Sequence, residues 1–383
     1  MLFLLAAFTA GLTGCVTNPF LPLMGLHVHV EKPFSICTSS RNLGWGYLSH
    51  PFVYKFADDL IVVQYNLAGD GVVGAIPELA GKAPAVTYDG GQVWQYGTNV
   101  ITSRFDGTSV PLNGSGKIIT SHGVLTCAPF QVKGSQAWST TCWIEDGKVV
   151  GKPFTSLITV SNLVSNIWVY EGAELTNGDL VIVGYAQTNG SPLSITVLLR
   201  SSDRGHTFAI STIATHADAP WGVEGANEPA LVLLPDGELL CVMRTGGPGY
   251  GGRNGFSYPL LEARSRDGGK TWKHRKMSIS GVMPKLLLMS NGVLALATGR
   301  SGNALYFSLD GGRTWPSQID LTPADVQTSG YCDVVEVSPG RLLAVYDMYD
   351  TDPKGIWLWE PKEVNGVFGV FVDVRRRFAG GTR

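Results

Sequence analysis

An eight-residue segment recurs along the chain and constrains what it can fold into. It reads SRDGGKTW at Ser265 to Trp272, SLDGGRTW at Ser308 to Trp315, SSDRGHTF at Ser201 to Phe208 and, more loosely, TYDGGQVW at Thr87 to Trp94. All four fit Ser/Thr-x-Asp-x-Gly-x-Thr/Val-aromatic. An Asp followed by Gly closes a tight turn, because the carboxylate accepts from backbone N–H groups while Gly takes the positive φ. The aromatic residue can then pack under the turn as the next strand begins. A turn unit repeated in this way fixes the architecture ahead of any local reading. Here it predicts many short antiparallel strands.

A second repeat sets the spacing. Apolar runs lead into tight turns at ADDLIVV (Asp58, Asp59), SHGVLT (His122, Gly123), TNGDLVIV (Asn177, Gly178), PDGELLCV (Asp236, Gly237), SNGVLALA (Asn291, Gly292) and SPGRLLAV (Pro339, Gly340). Counted from the second turn residue, the intervals are 64, 55, 59, 55 and 48 residues. Asn-Gly and Asp-Gly between apolar runs are strong hairpin signals. The two repeats interleave, and WIEDGKVV supplies a degenerate Asp turn at Asp146, 57 residues from both Asp89 and Asp203. Only the sixth unit lacks such a turn. Six units with two hairpins each predict six four-stranded sheets. A closed ring, an all-β six-bladed β-propeller, is the arrangement that shields their edges. The strand around His27 to Val30 would complete the last blade. No linker interrupts the series, so one domain is expected from 24 to 383.

Composition agrees: 48 Gly, 10 Trp and 13 Tyr with only 16% charged residues suit short strands joined by Gly-rich turns. A net charge of −2 without a Lys/Arg cluster gives no face for nucleic acid. Residues 1–15 read as an export segment. Met1 to Thr13 is apolar but too short to span a bilayer, and Leu12-Thr13-Gly14-Cys15 resembles the bacterial lipoprotein signal, without its usual basic start. This implies an exported, lipid-anchored chain at the periplasm or cell surface, touching membrane only through Cys15; a plain signal peptide is the alternative. Outside the cytoplasm a disulfide is allowed, and Cys127 with Cys142 is the expected pair. Cys241, in LLCVM, reads as a buried thiol. No Cys/His spacing resembles a zinc site, and no metal or cofactor is expected.

The repeat allows positions to be compared between units. Nine residues before the second turn residue stand His50, Glu228, Met283 and Tyr331; seven or eight residues after it stand Asn66, Arg244, Arg300 and Asp347. In a propeller all of these converge on one mouth of the ring. A Glu, a Tyr and two Arg on one face are a costly choice for a core. Paired Arg forks suit a carboxylate. A structural Glu228–Arg244 pair, with Tyr331 as packing, is the other reading.

The Asp turns resemble the Asp boxes of the sialidase superfamily, and the chain after its first residues resembles such a propeller throughout. EPALVLLPDGELLCVMRT is similar to the segment carrying a Glu and, sixteen residues on, an Arg of the carboxylate-binding triad, which gives Glu228 and Arg244. GRSGNALYFSLDGGRTW is similar to the segment with another triad Arg, giving Arg300, and SGYCDVVEVSPGRLLAVYD to that of the nucleophilic Tyr, giving Tyr331. QYNLAGDG resembles the loop of the acid/base Asp, giving Asp70. One element departs from the pattern: Ser49, in Leu48-Ser49-His50-Pro51, stands where the first triad Arg belongs, leaving Arg41 or His50 to fill its place. The resemblance implies a retaining exo-glycoside hydrolase that releases terminal sialic acid from glycans through a Tyr nucleophile. An exo-glycosidase of altered specificity and a non-catalytic glycan-binding propeller are the alternatives.

Overall fold

The computed structural model describes residues 21–23, 25–39, 47–68, 77–112, 114–161, 163, 165–246, 257–300, 302–324, 326–349 and 365–377. Asp70, Arg41, Cys15 and the export segment lie outside them. Among the described residues the chain is all-β apart from one seven-residue α-helix, α1 (Thr98–Arg104), and two short 3-10 turns. No helix among them is long and apolar enough to cross a membrane.

Three strands open the chain: β1 (Leu21–Leu23), β2 (Leu26–Val30) and β3 (Phe34–Ser39). Antiparallel meanders follow. The first is β4 (Ser49–Lys55), β5 (Ile61–Asn66), β6 (Ala85–Thr87) and β7 (Gln95–Tyr96). The second comprises β8 (Gly116–Ile119), β9 (Val124–Cys127), the short β10 (Gln131–Lys133), β11 (Gln136–Glu145) and β12 (Lys148–Thr159). The third is β13 (Trp168–Glu174), β14 (Leu180–Gln187), β15 (Ser194–Ser201) and β16 (Thr207–Ala214). The fourth is β17 (Asn227–Leu233), β18 (Leu239–Arg244), β19 (Pro259–Ser265) and β20 (Lys273–Ser280), and the fifth β21 (Val282–Leu288), β22 (Leu294–Gly299), β23 (Asn303–Ser308) and β24 (Ser317–Asp320). Last come β25 (Cys332–Ser338), β26 (Arg341–Tyr349) and β27 (Asn365–Arg376).

The expected N-terminal closure is present. β2 pairs antiparallel with the far half of β27, Leu26 opposite Arg376 and Val30 opposite Val372, while β3 pairs with its near half. The second and third meanders do not stay separate. Parallel contacts of β12 with β16 and of β13 with β8 join them into one nine-stranded sheet, in which eight strands form a closed circuit. Edge strands with free N–H and C=O groups find partners in this way, a feature that hairpin spacing does not encode.

Apolar residues alternate into clusters between successive meanders. One joins the fourth to the fifth through Ala230, Leu240, Leu294 and Leu296, and another joins the last sheet to the first through Ile36, Val53, Ile61, Leu343 and Val345. Full burial of each Val, Leu or Ile side chain among them contributes about 1.5–3 kcal/mol. The opening strands β4, β8, β13, β17, β21 and β25 all line one cavity of about 420 Å³, as the axial channel of a propeller-like fold requires.

The four Asp boxes share one hydrogen-bond pattern. In the third of them, the Ser265 hydroxyl donates to Asp267 Oδ1 (2.7 Å) and accepts from Gly269 N (2.8 Å). Asp267 also accepts from Thr271 N (2.9 Å) and the Thr271 hydroxyl (2.6 Å). Matching bonds recur around Asp203 and Asp310, and in part around Asp89. Each box sits between the third and fourth strands of its meander and sends its aromatic residue into an apolar cluster: Trp94, Phe208, Trp272 and Trp315. Asp146 occupies the matching turn of the second meander, between β11 and β12. There it and Gly147 take φ of 49° and 67°, the left-handed pair of a two-residue hairpin turn.

Two outcomes follow. Ser265 is buried, so Ser265→Ala leaves the Gly269 N–H without an acceptor and is expected to cost about 1–3 kcal/mol in chemical denaturation; an unchanged midpoint would show that the box is not structural. The box carboxylates titrate low. At Asp267 the Thr271 hydroxyl is the main cause. At Asp203 slight burial acts upward, but the Thr207 and Ser201 bonds outweigh it and hold the group at about 2. Depressed folded values give stability that is complete above the unfolded value of about 3.9 and is lost as pH falls through the folded values. Thermal midpoints measured between pH 5 and 2 should therefore drop steeply below about pH 4, and less steeply in Asp310→Asn.

The expected Cys127–Cys142 disulfide is absent: both thiols are free and buried. In the β9–β11 pairing Cys127 faces Thr141 and Cys142 faces Thr126. This one-residue offset sends the two side chains to opposite faces of the sheet, Cys127 into the cluster with Phe130 and Cys142 into that with Phe105. Burial raises both thiols to about 11. Cys241 is buried as expected.

Candidate active site

The starts of the opening strands carry a recurring irregularity. Register shifts fall between Ser49 and Phe52, between Asn227 and Ala230, and between Val282 and Lys285. Within each shift sits a non-glycine residue of positive φ: His50 at 54°, Glu228 at 42° and Met283 at 45°. Left-handed backbone is unfavourable for such residues, and a bulge re-aims their side chains away from the strand's alternation. These are the positions that spacing alone aligned.

Glu228 is the centre of the cluster. It is only 5% exposed. Its Oε1 accepts from the Tyr331 hydroxyl (2.5 Å) and from Arg244 Nη1 (2.8 Å), and its Oε2 from Met283 N (2.9 Å). Burial pushes the Glu228 carboxyl up, but the Arg244 charge and the Tyr331 hydroxyl outweigh it and hold the group below the ordinary glutamate range. Tyr331 goes the other way: burial, then the Glu228 charge, raise the phenol well above its usual value, against the pull of Arg244. At neutral pH the pair is therefore a carboxylate and a neutral phenol joined by a short, charge-assisted bond.

Arg244, at the end of β18, stands directly across from Asn227. It bridges Glu228 and Glu224, with Nη2 2.9 Å from Glu224 Oε2. Burial acts to lower its pKa, but the Glu228 and Glu224 carboxylates outweigh it and hold the guanidinium above the ordinary arginine value. Arg300, at φ 59°, donates from Nη2 to the Ser329 carbonyl (3.0 Å). Burial and then the Arg244 charge lower its pKa; its bond to the Ser329 carbonyl, two residues before Tyr331, sets it beside the cluster.

The structure thus brings together Glu228, Tyr331, Arg244 and Arg300, four of the five residues singled out in the sequence; the fifth, Asp70, lies outside the described residues. The His50 ring meets the Tyr331 ring edge-on at 4.3 Å. His50 Nδ1 is 2.6 Å from Ser49 Oγ and 3.3 Å from Asn66 Nδ2.

Two contributors escaped the sequence reading. Glu224 lies in the loop before β17, with no periodic signal to place it. Tyr185, stacked on Tyr170 with ring centroids 6.1 Å apart, feels the Glu228 charge; burial first, and then that charge, raise it to about 12. It sits seven residues past Gly178, the offset that marked Asn66, Arg244 and Asp347, so the signal was present. On the channel side of the cluster, Phe52 contacts Tyr331 (6.4 Å) and lies under the Lys285 ammonium (4.9 Å), which is paired with Glu171 at 2.6 Å.

Because Glu228 titrates low, protonation should quench the cluster only below about pH 4.3. The stability it contributes as an anion is complete above that unfolded value and lost as pH falls through the lower folded one.

Comparison with known proteins bears on the fold that carries this geometry. Residues 131–363 match the BNR repeat-like domain family, more than half of the chain. No curated protein sequence matches. Among solved structures, the chain is similar to a Hadza microbial sialidase, Hz136 (TM-score 0.57, 13% identity, covering 90% of this chain and 68% of that one). It is also similar to the GH93 α-L-arabinofuranosidase of Fusarium graminearum in complex with arabinobiose (0.55, 14%, 91% and 98%). A third is the Penicillium chrysogenum α-L-arabinanase complexed with arabinobiose (0.52, 14%, 91% and 99%). At these identities the likeness establishes the fold, and the family match adds the repeat itself: the chain belongs to the BNR repeat-like domain family.

Proposed function

We propose that the protein is an exported, retaining exo-glycoside hydrolase that uses Tyr331 as its nucleophile to release a terminal, carboxylate-bearing sugar of the sialic acid class from glycans. The observation that carries the reading is the 2.5 Å bond from the Tyr331 hydroxyl to the Glu228 carboxylate. In the first step Tyr331 Oη bonds to the anomeric carbon and passes its proton to Glu228 Oε1. The glycosidic C–O bond breaks and the leaving oxygen takes a proton from Asp70. In the second step Asp70 takes a proton from water as the water oxygen bonds to the anomeric carbon. The C–O(Tyr331) bond breaks, and the phenol recovers its proton from Glu228. A neutral nucleophile avoids repulsion from a carboxylate on the anomeric carbon, and Arg300 and Arg244 would hold that carboxylate. The six meanders, with apolar clusters joining each to the next and the last to the first, support a six-bladed ring from about residue 24; residues 1–15 would export the chain and anchor it through Cys15.

One observation favours a second reading. Arg244 is already bridged by both Glu224 and Glu228, and Ser49 supplies no third cation. An uncharged terminal sugar suits that balance better, and arabinobiose-bound relatives share the fold. A panel of aryl glycosides separates the two. Turnover of the sialoside supports the first reading, and turnover only of neutral pentosides or hexosides the second. Glycan binding with no turnover of any member would overturn both.

A further inference from the structure

We infer that Asp347 is the positioning residue of this site, its buried carboxylate holding Tyr331, Arg300 and His50 in register with one another. The assignment of Tyr331 as nucleophile rests on the proposed function; the geometry of the anchor does not. Asp347 lies on β26 and is fully buried. Its Oδ1 accepts from the Thr328 hydroxyl (2.7 Å) and Ser329 N (2.7 Å), and its Oδ2 from His50 N (2.9 Å) and the Ser329 hydroxyl. Four donors fill the four acceptor sites of a carboxylate, and none belongs to a Lys or Arg.

Those donors lead directly to the cluster. Ser329 Oγ accepts from Tyr331 N (3.1 Å), and the Ser329 carbonyl accepts from Arg300 Nη2 (3.0 Å). His50, held at positive φ through its N–H, presents its ring to Tyr331. One side chain on the last sheet therefore ties the first opening strand to the segment that carries the nucleophile and to one Arg. Structural packing would be served by an apolar residue here; a desolvated carboxylate is retained at a cost unless its donors must be aimed.

The pattern makes asparagine a sharp probe. Each carboxylate oxygen faces one backbone N–H, that of Ser329 or that of His50, and a backbone N–H cannot turn to accept. Asp347→Asn must set its NH2 against one of them in either flip. The expected result is a loss in kcat/KM of roughly 100-fold, the scale of a 1 Å misplacement of reacting groups. With it, the amides of His50, Ser329 and Tyr331 should exchange faster with deuterium while the remaining sheets keep their protection. Should that variant not fold, Thr328→Ala, Ser329→Ala and their double carry the test, with non-additive losses in kcat expected. Loss of activity only in proportion to the unfolded fraction, or unchanged exchange at the three amides, would overturn the assignment. If the wild type hydrolyses no glycoside, the enzymatic reading falls, and the exchange measurement alone still decides the role of Asp347.

Discussion

Tyr331→Phe is expected to lower kcat by roughly four orders of magnitude or more, the scale seen when a covalent nucleophile is removed, with KM changed little. The substitution deletes one oxygen and leaves the packing of the ring. Phe52 at 6.4 Å and His50 at 4.3 Å contact the ring itself, and the cluster with Met283, Ala263 and Tyr170 touches its carbon framework. The hydroxyl contributes one charge-assisted bond, about 1.5–3 kcal/mol, so the melting curve should shift down and stay cooperative. A folded Tyr331→Phe with near wild-type turnover would remove Tyr331 from the chemistry and leave the Glu228–Arg244 pair as architecture. Under the neutral-sugar reading the same loss is expected, because Glu228 is too occupied by Arg244 and Met283 to replace Tyr331 as the attacking group.

The turns were the most legible part of the chain, because an Asp box is local chemistry: Ser265, Asp267, Gly269 and Thr271 close on one another within seven residues. From their phase, the convergence of Glu228, Tyr331, Arg244 and Arg300 could be placed without any long-range information, since equivalent residues of a repeat take equivalent places. The same counting aligned His50, Glu228 and Met283, though nothing in it foretold that all three would carry positive φ. What spacing could not supply was register and partner choice. Cys127 and Cys142 flank one hairpin and still point to opposite faces, because a single residue of offset inverts a side chain in a strand. The nine-stranded sheet depends on which edges meet. Glu224 enters from a loop whose path no period describes, and Asp347 was aligned with Arg244 and Arg300 by count, yet its role depends on donors in Thr328 and Ser329, segments with no repeat counterpart. Local chemistry and repeat phase thus reach as far as the mouth of the ring; the hydrogen bonds that organise it come from contacts across sheets.

Removing Glu228 should have the largest effect on stability, because two buried groups and the half-buried Tyr331 hydroxyl depend on it. Glu228→Ala leaves Met283 N and the Tyr331 hydroxyl without an acceptor and leaves Arg244 with Glu224 alone. Breaking a buried pair by deleting one partner costs about 3–5 kcal/mol, and the surviving Glu224 contact places the expected value toward the lower end. Glu228→Gln keeps the shape and is still not benign. With its oxygen toward Arg244, the amide NH2 faces the Met283 N–H; flipped, it faces the Arg244 guanidinium. It also removes the group that takes the Tyr331 proton, a loss of general-base assistance of roughly 10²–10⁴-fold in kcat. The two substitutions separate structure from chemistry: the alanine should lower the denaturation midpoint more, while both lower kcat comparably and abolish the acid limb below pH 4.3 assigned to this carboxyl. A Glu228→Gln enzyme that keeps both its rate and its acid limb would show that another group accepts the proton, and Glu224, 2.9 Å from Arg244 on the same face, is the residue that would then have to do so.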